Sequence, residues 1–331
     1  MGGRGADRAE SGNVGGPFFD DLEVGQVFDT APGCTLTEGR AAQHQAIVGD
    51  RWRLPLDDHL ARAVAGAPVA SPSLVWNIAI GQSTLVTQRV RANLFYRRLA
   101  LLRQPLIGDT LRTTTTVVAL RENTRREGRP PTGLAALRMR TVDQDDRPVL
   151  DFFRCAMLPV RGGPTGRADD LDAVGADLPA IGAADLVPPW DHDVLERSCG
   201  TDSLPEAGDR LEVATGDVVS NAPDLARLTL NVAAVHHDRF AGGGQRLVYG
   251  GHTIAVAASQ VCRAFPDLAT VLAWDSCHHV GPVHEGDTLR TSVTIERVAA
   301  VDGWQVADLR AEVTADGERE VLDWRFTVLA P

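Results

Sequence analysis

The stretch GDTLRTTTTVVAL, Gly108–Leu120, is met again as GDTLRTSVTIERV, Gly286–Val298. The shared GDTLRT sets an offset of 286 − 108 = 178 residues. Both versions run on as β-branched residues alternating with period two, the pattern of a half-buried strand. A second match, RPVLDFFRCAML from Arg147 and REVLDWRFTVL from Arg319, has an offset of 321 − 149 = 172 residues. The first copy is therefore longer between the two matches. The extra length falls around RENTRREGRPPTG, whose proline, glycine and charges predict an exposed hairpin loop. So long a period is outside the range of solenoid repeats. The chain is a tandem duplication.

Working outward, each copy has one order of elements. A polar-capped helix comes first, LTEGRAAQHQAIVG and APDLARLTLN, followed by a loop. A long apolar helix is next, SLVWNIAIGQSTLVTQRV and GHTIAVAASQVCRAF, and about three strands close the copy. A helix that is apolar nearly all round must be covered on every side. That predicts an α+β fold with an antiparallel sheet wrapped around a central helix in each copy. The expected organisation is a disordered leader over 1–16, a first copy over 17–159, a Gly-, Pro- and Ala-rich linker of low helix content over 160–210, and a second copy over 211–331.

Composition narrows the function classes. Apolar residues make up 44% of the 331-residue chain and charged ones 23%, the balance of a soluble globular protein. There is no apolar run of membrane-spanning length, and MGGRGADRAESGNVGGP lacks the apolar core of a secretory signal. The five cysteines show no CxxC spacing, which fits a reduced cytoplasmic protein. A net charge of −11 argues against nucleic acid as a partner. All 33 basic residues are arginine, so Schiff-base chemistry on lysine is excluded and anions must be held by arginine or by backbone amides.

The chemistry-bearing stretch is LNVAAVHHDRFAGGGQRLVYGGHTIAVAASQ, Leu230–Gln260, where a His-His-Asp cluster is followed by a glycine-gated helix start. Asn231 stands five residues before His236, Asp238 two residues after it, and Tyr249-Gly250 opens the central helix. These residues resemble the MaoC-like family of (R)-specific enoyl-CoA hydratases and 3-hydroxyacyl dehydratases. FFDDLEVGQVFDT, EGDTL and the duplication are similar to its tandem, double hot dog branch. NLFYRRLALLRQPLIGDTL and VLDFFRCAML resemble the mesaconyl-CoA hydratase branch. The resemblance implies a double hot dog fold, no cofactor, and hydration or dehydration of an acyl-CoA or acyl-carrier-protein thioester. Association of two such chains into a homodimer is allowed and not required.

Adding water across a conjugated thioester needs a base for the water, a proton donor for the α-carbon and donors for the enolate oxygen. His236 titrates near neutral pH and is the candidate base. The N–H of Gly250, at the positive end of the central helix, is the candidate donor to the thioester oxygen. Asn231 can orient water or the imidazole but cannot exchange a proton, which leaves His236 as base and acid on one face. Asp238 is expected to line the substrate site, where it orients the histidine or caps a turn. Tyr249, Gly251, His252 and Arg246 are expected to line the substrate site, and Arg239 and Arg263 are further candidates for the anionic nucleotide. The clustered histidines show no HxH or HExxH spacing, so no metal is expected.

The first copy differs at two places. Pro55 falls at the position of His236 and Pro72 at that of Gly250, with Asp50 in place of Asn231. Proline has no N–H to donate, so the active site is expected in the second copy alone. In the family's tandem branches a degenerate first copy implies space freed for a larger acyl chain. Two other readings stay open: a hot dog thioesterase, for which HTIAVAASQ supplies no carboxylate, and an acyl-thioester binding protein without catalysis.

Overall fold

The computed structural model describes residues 15–200 and 204–331. The leader expected over 1–16 thus lies, but for its last two residues, outside the described residues. The first copy supplies β1 (Val27–Phe28), β2 (Cys34–Thr35), β3 (Ala92–Leu101), β4 (Thr110–Glu122), β5 (Thr132–Val142) and β6 (Pro148–Pro159). The second supplies β7 (Arg210–Glu212), β8 (Asp217–Val218), β9 (Thr270–His279), β10 (Thr288–Val301), β11 (Trp304–Ala315) and β12 (Arg319–Ala330). They form one antiparallel sheet in the order β1-β4-β5-β6-β3-β9-β12-β11-β10-β7, with β2 paired to β4 and β8 to β10. The β3–β9 pairing, with Tyr96 opposite Cys277 and Leu99 opposite Trp274, joins the copies. The fold is the double hot dog.

The sheet wraps two central helices, Pro72–Gln82 and Gly250–Ala264, and every residue of the first is buried. The alternation read in β4 sets the inward face: Leu111, Thr113, Thr115 and Val117 are buried. Both helices are tied to the sheet by the same amide. Gln82 Nε2 donates to the Leu111 carbonyl at 2.9 Å, and Gln260 Nε2 to the Leu289 carbonyl at 2.9 Å. These pairs are related by the 178-residue offset. Trp76 packs edge-on against Trp274 and Trp324, with centroids 5.0 and 6.1 Å away, so one core spans both copies.

Two local expectations differ. The first central helix ends at Gln82, before the end of the stretch SLVWNIAIGQSTLVTQRV, and passes into a short 3-10 turn, Ser83–Leu85. There the Ser83 and Thr84 hydroxyls bond back to the Ile80 and Gly81 carbonyls, competing with helix continuation. The segment over 160–210 is not a free connector. It holds a helix, His192–Ser198, and its Leu186 and Leu195 fill a second core with Leu272, Trp304 and Leu329 outside the sheet.

Candidate active site

The second central helix begins abruptly. Tyr249, in extended conformation, precedes Gly250 and offers no side-chain cap, so the first N–H groups stand at the positive end of a 15-residue helix. A Cβ at position 250 would collide with the His279 ring, and one at 251 with Asn77 and Tyr249. Glycine is therefore required for the helix start to approach both groups.

This helix start opens into a cleft of about 280 Å³ between the two copies. Asn231, His236, Tyr249, Gly250 and His279 line it from the second copy, and Thr84, Thr87, Tyr96 and Arg154 from the first. No Asp or Glu is among the described residues that line it.

His236 closes a 3-10 turn, Ala234–His236, and is 9% exposed. Its Nδ1 donates to the Leu247 carbonyl at 2.8 Å. A carbonyl can only accept, so Nε2 carries the free lone pair. Burial pushes the His236 pKa down to about 4, with the Leu247 carbonyl opposing, so the ring is neutral at pH 7. Asn231 is 3% exposed; its side-chain oxygen accepts the Ala233 N–H at 3.0 Å, which leaves the NH2 group as the donor to the cleft. His237 turns away and bonds the Asn231 carbonyl oxygen at 2.7 Å through Nε2.

Several expected site residues fall elsewhere. Asp238 is exposed and accepts the Phe240 N–H at 2.8 Å, so it caps a turn and the Leu247 carbonyl orients His236 in its place. Gly251 and His252 are buried behind the helix start. His252 faces His44, and both its ring nitrogens lack partners among the described residues. Arg246 is ion-paired with Glu285 at 2.6 Å. Arg239 stacks on the exposed Phe240, and Arg263 sits at the far end of the helix, bonded to Thr215 and Asp217.

Tyr96, Arg154 and His279 lie in the cleft and were not found from the sequence. The strands that carry them are remote from the Leu230–Gln260 motif. The signal for Arg154 was the repeat itself, because the 172-residue offset sets it opposite Phe326.

The matching end of the first copy is closed. Ser71 caps the helix through the Ser73 N–H at 3.2 Å, and Pro72 offers none. The Ser71 hydroxyl donates to the buried Asp50, whose carboxyl burial pushes up to about 6. Trp52, 1% exposed, donates to Ser73 Oγ at 3.4 Å. The proline substitutions thus do not free space for a longer acyl chain at this end; Trp52, His44 and Asp50 fill it.

Among the described residues one group with metal-ligand character comes together, His192, Asp193 and Glu196, and none of its members lines the cleft.

Comparison with known proteins follows this geometry. No protein-family profile matches the chain. A β-methylmalyl-CoA dehydratase of Chloroflexus aurantiacus is 29% identical over 96% of the chain and 97% of that protein. A mesaconyl-CoA hydratase of Cereibacter sphaeroides is 27% identical over 87% and 85%. Among solved structures, a conserved Mycobacterium tuberculosis protein with a double hotdog fold, essential for bacterial survival during infection, is 52% identical. It has a TM-score of 0.90 and coverage of 96% and 99%. A MaoC domain protein of Chloroflexus aurantiacus, described as a dehydratase, has a TM-score of 0.84 at 26% identity, covering 97% and 99%.

Proposed function

The chain belongs to the MaoC-like double hot dog family, and from that membership we propose that it adds water to, or removes it from, the acyl group of a coenzyme A thioester. It is then a lyase working at the cleft between the copies. The observation that carries the reading is a neutral His236, its Nε2 lone pair free, in one cleft with the uncapped helix start at Gly250.

In hydration, the thioester oxygen rests on the Gly250 N–H and Asn231 holds a water molecule. His236 Nε2 takes a proton from that water as its oxygen bonds to the β-carbon. The π electrons move toward the thioester oxygen, where the helix end stabilises the enolate. The enolate then re-forms the carbonyl as its α-carbon takes the proton back from His236. Dehydration is the reverse. Every group used belongs to the chain.

The absence of Asp and Glu from the described lining disfavours the thioesterase reading, which needs a carboxylate to activate water. Both walls come from one chain, so the reaction does not call for a homodimer. Coenzyme A is preferred to a carrier protein because both curated relatives are named for CoA thioesters. No described helix is long and apolar enough to cross a membrane. The cytoplasmic placement rests on the unpaired cysteines, four of the five being buried.

Removing a general base lowers turnover about 10²–10⁴-fold, so His236→Ala should abolish most of the loss of enoyl-thioester absorbance while leaving the circular dichroism unchanged. Full activity in that variant would defeat the assignment. Tight acyl-CoA binding with no turnover in the native protein would establish a binding protein in its place.

A further inference from the structure

His279 ends β9 and packs edge-on against Tyr96 of the main core, with ring centroids 5.8 Å apart. Its neighbour His278 packs on Phe95, on the other face of the sheet. The His279 ring lines the cleft. A Cβ built on Gly250 would stand 2.4 Å from its Nε2, with Cε1 and Cδ2 farther off at 2.8 and 3.2 Å. The imidazole therefore meets the glycine apex-on, through Nε2. The 178-residue offset gives the counterparts in the first copy, Leu101 for His279 and Pro72 for Gly250. Leu101 is a core residue, 2% exposed. The histidine and the glycine thus occur together in the second copy and are absent together from the first.

The contact with Gly250 fixes which nitrogen carries the proton. Nε2 is buried and makes no hydrogen bond among the described residues. An N–H there would be stranded without an acceptor and driven against a Cα hydrogen of Gly250. A lone pair instead faces that hydrogen at the positive end of a 15-residue helix, which favours it. Burial, with His278 adding to it, pushes the His279 pKa down to about 4, so the ring is neutral and holds a single nitrogen-bound proton at pH 7. That proton is then on Nδ1. Nδ1 makes no hydrogen bond among the described residues and, unlike Nε2, is not sealed from solvent, so its N–H is a donor left to the cleft.

We infer that His279 is a second catalytic histidine, whose Nδ1–H joins the Gly250 N–H in holding the thioester oxygen as its negative charge develops. This rests on the hydratase reading and deepens it. An oxygen resting on the Gly250 N–H lies beside a ring that is itself seated on Gly250. As the water oxygen bonds to the β-carbon, the π electrons move onto the thioester oxygen and both hydrogen bonds strengthen. The neutral imidazole is too weak an acid to give up its proton, and the charge leaves the oxygen when the α-carbon takes a proton from His236. The two histidines divide the work through opposite tautomeric surroundings. His236 turns its N–H to the Leu247 carbonyl and presents a lone pair; His279 turns its lone pair to the helix start and presents an N–H.

The tautomer is read directly from the nitrogen-15 spectrum of histidine-labelled wild-type protein at pH 7. A protonated Nδ1 and an unprotonated Nε2 are expected at His279; the opposite tautomer, or a charged ring, overturns the proposal. His279→Leu removes the donor, whereas His279→Asn places an amide N–H where Nδ1 stood. Rates are taken on whichever of crotonyl-CoA and fumaryl-CoA the wild type hydrates faster. His279→Leu should lose about 10²–10³-fold in kcat, as removal of one oxyanion donor does, with KM little changed, and His279→Asn should recover most of that loss. A loss below about tenfold in a folded His279→Leu protein, short of that range, overturns the proposal while leaving the hydratase reading in place. Equal losses in the two variants also overturn it, and make the ring a packing piece for the helix start. If either variant does not fold, the tautomer decides. If neither thioester is hydrated, the hydratase reading falls, and the infrared carbonyl stretch of bound carbon-13-labelled butyryl-CoA decides. A stretch lowered more on the wild type than on His279→Leu supports the donor to the thioester oxygen, and equal stretches remove it.

Discussion

An amide at position 231 can hold a water molecule but cannot exchange a proton with it, so in the proposed reaction His236 moves both protons on one face. This makes Asn231→Asp the informative change. A carboxylic acid there would supply a second proton-transfer group beside the imidazole, and kcat should rise by about 100-fold, the low end of what such a group contributes. Initial rates of enoyl-thioester hydration check this; an unchanged kcat would mean that His236 already moves both protons without limiting the rate. At this scale the sequence carried much of the site. Asn231, His236, Tyr249 and Gly250 fall in one motif and meet in one cleft. What could not be read is the group that orients His236. The Leu247 backbone carbonyl has no sequence signature, whereas Asp238, which has one, turns outward.

The central helices show why elements with near-identical patterning end differently. In the second copy the chain enters through an uncapped tyrosine into glycine; in the first, Ser71 and Pro72 complete the helix end internally. The difference was legible as two prolines. That the first end is also filled by Trp52 and a buried Asp50 was not, because it depends on what packs there. Gly81 makes the same point. In a buried helix, glycine reads as a weak position that alanine would improve by about 1 kcal/mol. Here an added Cβ would strike the Thr229 carbonyl and crowd the Asn231 N–H at 3.2 Å. The helix thus sets the position of the loop that carries Asn231. We expect Gly81→Ala to destabilise the protein by about 1–3 kcal/mol, as overpacking does, and to lower kcat by displacing Asn231. Thermal melts and initial rates check both; a gain in stability would show that the loop yields.

Across the whole molecule, the duplication places two sets of buried titratable groups around one shared core, and their combined titration sets the response to acid. Burial pushes His44 down to about 3 and His236, His252 and His279 to about 4. In the unfolded chain each takes up a proton near pH 6.5. Between about pH 6.5 and 4 the unfolded state therefore binds more protons at these four sites, and stability falls as pH falls. Asp50 works the other way. Its carboxyl, pushed up to about 6, holds a proton in the folded state that the unfolded chain releases above about 4, so it favours the fold as pH falls through 6. Four histidines against one aspartate leave a net uptake of about 4 − 1 = 3 protons on unfolding near pH 5. At about 1.4 kcal/mol per proton per pH unit, the urea midpoint should drop steeply from pH 6.5 to 4.5 and change little between 7 and 8. Asp50→Asn removes the opposing group, so the drop should steepen. Urea titrations of both proteins at pH 7, 5.5 and 4.5 measure the two slopes. Parallel, shallow slopes would mean that the buried histidines gain protons in the folded state, through water admitted along the cleft and the helix interface.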